Sequence, residues 1–270
     1  MALFTLERNG GGPVVVCLHG FCQSSAYWAQ TLDRLAEAGV HGLAPDLPGF
    51  GASAGESGPY TMAGMADAVA RYLDTRRISR IALVGGSMGG VVAQQLVLRH
   101  PDRVEQLLLV ATGAVAGNPA AALAKADAFA AARWDEAAVA PIVDGFFHRP
   151  PAAADLSTFR GIALSAAHAA AIEAARSNAR TNTLEALASV RIPTMIIQGR
   201  HDRARTPEHG AQMRERIAGA TLAVIEDAGH TPQLEQPDAF HDIALPFLLT
   251  GHVGEPAVNR VSARNTGEVR

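Results

Sequence analysis

The chain has 270 residues, 48% of them hydrophobic and 18% charged, with a formal net charge of −3 at pH 7. That length and apolar content can bury a full core, which excludes a disordered or fibrous chain and fits one α/β domain with an insertion or two ordinary domains. The weakly acidic balance, with arginines scattered rather than clustered, supplies no basic track for nucleic acid.

The first strand signal is "PVVVCL", Pro13 to Leu18, a short β-branched run of the kind buried on both faces, which stops at His19-Gly20. Its Cys17 and the nearby Cys22 are too few for a disulfide framework, and the opening "MALFTLERNGGG" lacks the basic and apolar regions of a signal peptide, so a reduced, cytoplasmic protein is expected. A second strand around Gly42 to Pro45 leads into the turn-rich "DLPGFGAS". Met62, Met65, Ala66, Val69, Tyr72 and Leu73 then recur at helical spacing, which predicts an amphipathic helix. "RIALV", "VEQLLLV", "TMIIQ" and "TLAVI" supply further strands, and the helical segments between them suit right-handed crossovers in a mostly parallel sheet. From 114 to 187 strand signals vanish and alanine dominates, with isolated Phe129, Trp134, Phe146, Phe147 and Phe159. This region reads as a helical cap divided at Pro141 and at "HRPP", inserted into a core formed by residues 1–113 and 188–250. The tail, 251–270, is polar and aperiodic and is expected to be disordered. No uncharged apolar run approaches the roughly 20 residues of a membrane span.

The chemistry concentrates at "VGGSMGG", where Gly85-Gly86-Ser87-Met88-Gly89 fits G-x-S-x-G between a strand and a helix. A sharp turn there strains the serine backbone, lifts its hydroxyl above the sheet and requires small residues where strand and helix meet. The helix N-terminus then aims the Met88 N–H at a developing oxyanion. A solvated serine in a glycine-rich turn is the plainer alternative; a phosphate loop is disfavoured because no lysine follows. A nucleophilic serine needs an acid and then a histidine downstream. Asp202 follows "TMIIQ" and His230 follows "TLAVI", both past strand carboxyl ends where ligands gather in open α/β sheets. His230 alone could be an ordinary loop histidine; the combination carries the assignment. Asp46, Asp144 and Asp227 are rival acids, less suited by order or position, and Thr112 stands where another acid could. In "CLHGFCQS" the Phe21 N–H is the expected second oxyanion donor, with Cys22 as an alternative, and His19 reads as a structural histidine. No residues stand at metal-ligand spacing around it.

Taken in order, "HGF", "DLPGFGAS", "GGSMGG", "GRHD" and the "GH" at Gly229-His230 make the chain resemble α/β-hydrolase-fold proteins from Pro13 to about Leu249. The resemblance implies an eight-stranded, mostly parallel sheet flanked by helices, with the helical cap inserted after the sixth strand. It also implies no cofactor, and Ser87, Asp202 and His230 as nucleophile, orienting acid and base, with Phe21 and Met88 forming the oxyanion hole. The partner implied is a small-molecule substrate rather than nucleic acid or membrane, and a homodimer is left open. Serine as nucleophile disfavours the aspartate-dependent dehalogenases and epoxide hydrolases of the superfamily.

The expected reaction is hydrolysis of a carboxylic ester with a small-to-medium, largely apolar substrate. "SMGG" and "GRHDR" also resemble the serine hydrolases that cleave carbon–carbon bonds, but "HGFC" and Thr231 depart from their pattern. Lactone hydrolysis, a non-hydrolytic reaction and a slow-turnover ligand receptor are further alternatives. Cys22, Trp134, Phe146, Phe147 and Thr231 are candidate substrate contacts, although at helical spacing the aromatics equally suit packing of cap on core. Arg160, Arg176 and Arg180 could hold an acidic substrate or simply form a solvated face.

Overall fold

The computed structural model describes residues 3–251. Seven strands form one sheet: β1 (Thr5–Arg8), β2 (Val14–Leu18), β3 (His41–Pro45), β4 (Ile81–Gly86), β5 (Val104–Val110), β6 (Thr194–Gly199) and β7 (Thr221–Ile225). Their order is β1-β3-β2-β4-β5-β6-β7, with β1 antiparallel to β3 and every other pairing parallel. The helices are α1 (Ala29–Glu37), α2 (Met62–Thr75), α3 (Met88–Arg99), α4 (Pro119–Ala131), α5 (Glu136–Asp144), α6 (Ala153–Ser165), α7 (His168–Arg180), α8 (Pro207–Arg216), α9 (Pro232–Glu235) and α10 (Pro237–Thr250).

The continuous apolar strands are buried on both faces. In β2, Val16 and Leu18 join a cluster with α2 and α3, while Val15 and Cys17 join one with α1 and α10. This period-two division is what a parallel sheet sandwiched between helices demands. The predicted amphipathic helix is α2, which buries Met62, Met65, Ala66, Val69, Tyr72 and Leu73 and is capped by Thr61 accepting from the Gly64 N–H.

Three expectations need correction. The sheet has seven strands among the described residues, not eight, and the helical insertion follows the fifth strand rather than the sixth. The eighth strand was implied only by the resemblance, and no run of residues in this sequence carries strand patterning for it. Conversely β1, which the sequence reading left without structure, is a four-residue, half-buried edge strand whose pairing with β3 supplies what its short pattern does not. Pro141 does not divide the insertion either. It lies inside α5, which continues for one turn at the cost of a backbone hydrogen bond and closes with the Gly145 N–H on the Pro141 carbonyl.

The breaks between α4, α5, α6 and α7 fall elsewhere. Asn118 and Asp135 cap α4 and α5, and "HRPP" separates α5 from α6. These four helices do not form a separate core: Val139, Ile142, Val143, Phe146, Ala163 and Ala174 belong to the same apolar cluster as α2 and α3. The expected disordered tail lies outside the described residues apart from Gly251, which ends α10 in the left-handed conformation.

Candidate active site

Ser87 sits between the end of β4 and the start of α3 with φ 52° and ψ −117°, a backbone conformation that L-residues rarely adopt. Neighbouring β5 holds it there. The Ser87 N–H donates to the Val110 carbonyl at 2.9 Å, and the Thr112 hydroxyl donates to the Ser87 carbonyl at 2.7 Å. Glycine is required on both sides of this turn: a Cβ on Gly85 would lie 2.7 Å from the Gly90 Cα, and one on Gly89 would collide with the Leu18 and His19 carbonyl oxygens.

His230 and Asp202 converge on the serine from loops after β7 and β6. The Ser87 hydroxyl and His230 Nε2 are 2.7 Å apart, and His230 Nδ1 and Asp202 Oδ2 are 2.7 Å apart. The second Asp202 oxygen accepts the Ala204 and Arg205 N–H groups, both at 2.8 Å, so both oxygens are engaged, and the side chain has no exposed surface. An acceptor-only carboxylate at Nδ1 fixes the proton on that nitrogen, which leaves the Nε2 lone pair for the serine hydroxyl. The imidazole is clamped by its own backbone N–H, which donates to the Phe146 carbonyl at 2.8 Å, and by the Phe146 ring stacked at 5.7 Å. Glu235 accepts from the N–H groups of Gly229 and Thr231 on either side of it.

Across the pocket the "HGF" loop abuts the serine so closely that a Cβ on Gly20 would lie 3.1 Å from the Ser87 Cβ. His19 holds this loop, donating from Nδ1 to the Gly20 carbonyl at 2.8 Å and accepting the Leu47 N–H on Nε2 at 2.9 Å. Burial holds its imidazole below the ordinary histidine value, as a ring that must accept a hydrogen bond requires. Met88 is the first residue of α3, so its N–H has no intrahelical acceptor, and Phe21 lines the pocket beside Ser87. A cavity of about 490 Å³ opens over Ser87 and His230, roofed by residues of α4, α5 and α7.

Residues 13–237 match the model of the alpha/beta hydrolase fold family. The chain belongs to that family. It is 31% identical to a pimeloyl-[acyl-carrier protein] methyl ester esterase from Chromobacterium violaceum, over 89% of this chain and 95% of that protein. It is 30% identical to the dihydrolipoyllysine-residue acetyltransferase component of the acetoin cleaving system of Cupriavidus necator, and spans 65% of that protein's length. Among solved structures it resembles a hydrolase from Pseudomonas aeruginosa PA01, with TM-score 0.83 and 28% identity over 90% of this chain and 93% of that one.

In this α/β hydrolase the rival acids are engaged elsewhere. Asp46 accepts the N–H groups of Ser25 and Ala52, Asp144 pairs with Arg160, and Asp227 pairs with Arg149. Of the candidate substrate contacts, Phe146 lines the pocket and the others do not. Cys22 is wholly buried in the core and burial pushes its thiol up, so it offers neither nucleophile nor side-chain contact. Trp134 stacks on His168, Phe147 packs on Phe159, and the Thr231 hydroxyl turns away to Glu235 at 3.1 Å. Arg160 and Arg176 are spent on Asp144 and Asp127. The pocket residues that sequence reading did not single out include Asn118, Lys125, Asn178, Arg203, Arg205 and His209. They come from three separate stretches, 118–125, 178 and 203–209.

For metal binding, His148, His201 and Asp227 are the grouping among the described residues whose ligand atoms lie within 4.8 Å of one another. The two imidazoles stack at 3.7 Å with planes 9° apart, so their in-plane lone pairs run side by side instead of converging on one ion. No helix among the described residues is long and apolar enough to cross a membrane.

Proposed function

We propose that this protein is a carboxylic ester hydrolase that acts through an acyl-enzyme on Ser87. The observation that carries the reading is the unbroken hydrogen-bonded path from Ser87 through His230 to Asp202, opening onto a 490 Å³ cavity. As Ser87 attacks the ester carbonyl, its proton passes to His230 Nε2, while Asp202 holds the tautomer and stabilises the imidazolium. The negative charge arising on the carbonyl oxygen is met by the N–H groups of Phe21 and Met88. His230 then gives its proton to the departing alcohol, and water activated by the same ring releases the acid. Phe21, Phe129, Ile142 and Phe146 give the acyl chain an apolar wall.

The test is hydrolysis of p-nitrophenyl esters of increasing acyl length by the wild type and by Ser87→Ala, with fluorophosphonate labelling of both. Wild-type turnover should fall by about 10³-fold or more in the variant, and label should attach at Ser87 alone. Undiminished turnover in Ser87→Ala, or no turnover and no label in the wild type, would overturn the proposal. Lactones and vinylogous diketo acids assayed beside the esters separate ester cleavage from the other hydrolytic chemistries, and a strong preference for either would displace it.

A further inference from the structure

The charge lining the cavity is one-sided. Lys125 from α4 and Arg203 and Arg205 from the loop after β6 all contribute to its wall, and among the described residues no aspartate or glutamate does. This occurs in a chain whose net charge is −3. Lys125 is also the only lysine in the sequence.

Most arginines with described side-chain contacts, such as Arg99, Arg103, Arg160 and Arg200, are matched to carboxylates on the surface. Arg205 is not. Its guanidinium makes one hydrogen bond, from Nη1 to the Val115 carbonyl at 2.9 Å, and no carboxylate lies within ion-pair distance among the described residues. Asp202, the acid whose charge acts on it, has its oxygens engaged by His230 and two backbone N–H groups. Burial lowers the guanidinium below the ordinary arginine value, offset in part by the Asp202 charge. A guanidinium has five N–H donors in a planar fork, and withdrawing it from water with most of them unused is costly unless something else accepts them.

We infer that the end of the cavity formed by Arg205, with Lys125 and Arg203 beside it, is a subsite for a carboxylate on the acyl portion of the substrate. The inference rests on the ester hydrolase reading and narrows it: the substrate is a half-ester of a dicarboxylic acid. Its ester carbonyl sits at Ser87, its methylene chain lies against Phe21, Phe129 and Phe146, and its free carboxylate is gripped by the Arg205 fork. A planar guanidinium matches a carboxylate through two parallel hydrogen bonds, which fixes the chain's direction as well as its charge.

The experiment compares the p-nitrophenyl half-ester of adipic acid with the same ester bearing an ω-amide in place of the free acid, which is neutral and nearly isosteric. In the wild type the acid should be preferred in kcat/KM by about tenfold to a hundredfold, mostly through KM, as expected for a charge-assisted hydrogen bond in a partly buried site. The preference should shrink toward unity in Arg205→Gln, shrink less in Lys125→Gln, and weaken in the wild type as salt is raised. Free adipate should inhibit competitively and adipamide should not, a comparison that needs no variant and stands even if Arg205→Gln fails to fold. Equal rates for acid and amide in the wild type would overturn the subsite while leaving the hydrolase reading intact. Inhibition by inorganic phosphate as strong as by adipate would overturn the assignment to a carboxylate. Adipate binding by calorimetry, without turnover of any ester or labelling of Ser87, would sustain the subsite and remove the hydrolase reading.

Discussion

A serine hydroxyl is a poor nucleophile, and on the ester hydrolase reading what would activate Ser87 is a pair of residues held in place by further hydrogen bonds. Asp202 receives three donors, so it cannot rotate away from His230; the His230 backbone is held by Phe146, and its flanking N–H groups by Glu235. Asp202→Asn preserves shape but places an amide opposite Nδ1. Its NH₂ group can donate to that nitrogen and hold the ring in the tautomer that cannot accept the serine proton. On the ester hydrolase reading kcat should fall by about 10³–10⁴-fold with little change in KM. Steady-state kinetics on the best p-nitrophenyl ester measures this, and a kcat within tenfold of the wild type would deny Asp202 its orienting role.

The element that matters most is the β4–α3 junction. The strand delivers Ser87 to the carboxyl edge of the sheet, and the helix begins at once, so its axis must pass close to β2 and β4. Glycines at 85, 89 and 90 make that approach possible, with the α3 backbone running directly over the carbonyls that end β2. Gly89→Ala would drive a methyl group into the Leu18 and His19 carbonyl oxygens, which are backbone atoms in a central strand and its following loop and cannot step aside cheaply. Destabilisation of about 1–3 kcal/mol is expected, read as a lower urea midpoint, and on the ester hydrolase reading turnover should be lost as well, because the displaced loop carries Phe21. A variant with the wild-type midpoint would show that α3 can tilt to make room.

For the whole molecule, buried and half-buried histidines are expected to make stability depend on pH. The imidazoles of His19, His209 and His241 are each held below the ordinary histidine value chiefly by burial, with Arg205 adding to the effect at His209 and Arg34 at His241. Below about pH 6.5 the unfolded chain takes up protons that these folded sites refuse. Their contribution is therefore complete above that pH and is lost as pH falls beneath it. Glu7, Asp67 and Glu226, held low by arginine partners, act in the same direction in a lower window: their contribution persists until pH drops to about 4. Melting curves between pH 7.5 and 5 should thus show a falling Tm, with a shallower slope in His241→Gln, whose amide can keep the contact to the Thr31 hydroxyl. A Tm independent of pH across that interval would contradict the assignment.

What the sequence determined by itself is whatever depends on local pattern. Apolar runs specified six of the seven strands, helical spacing specified α2, and glycines around Ser87 announced a turn that few other residues could make. Chain order then placed Asp202 and His230 past strand ends on one edge of a parallel sheet, because every parallel strand points the same way. Tertiary structure decided the rest. β1 exists because β3 is beside it. Trp134 and Phe147 pack against the shared core of insertion and sheet, Cys22 is buried within that core, and the Thr231 hydroxyl is taken up by Glu235, so none of the four lines the cavity. The cations that line the cavity, Lys125, Arg203 and Arg205, come from α4 and the loop after β6, segments some 80 residues apart whose sharing of one cavity no periodicity encodes. Side-chain type is written in the chain, but whether an arginine faces solvent, a carboxylate or an empty pocket depends on packing among distant segments.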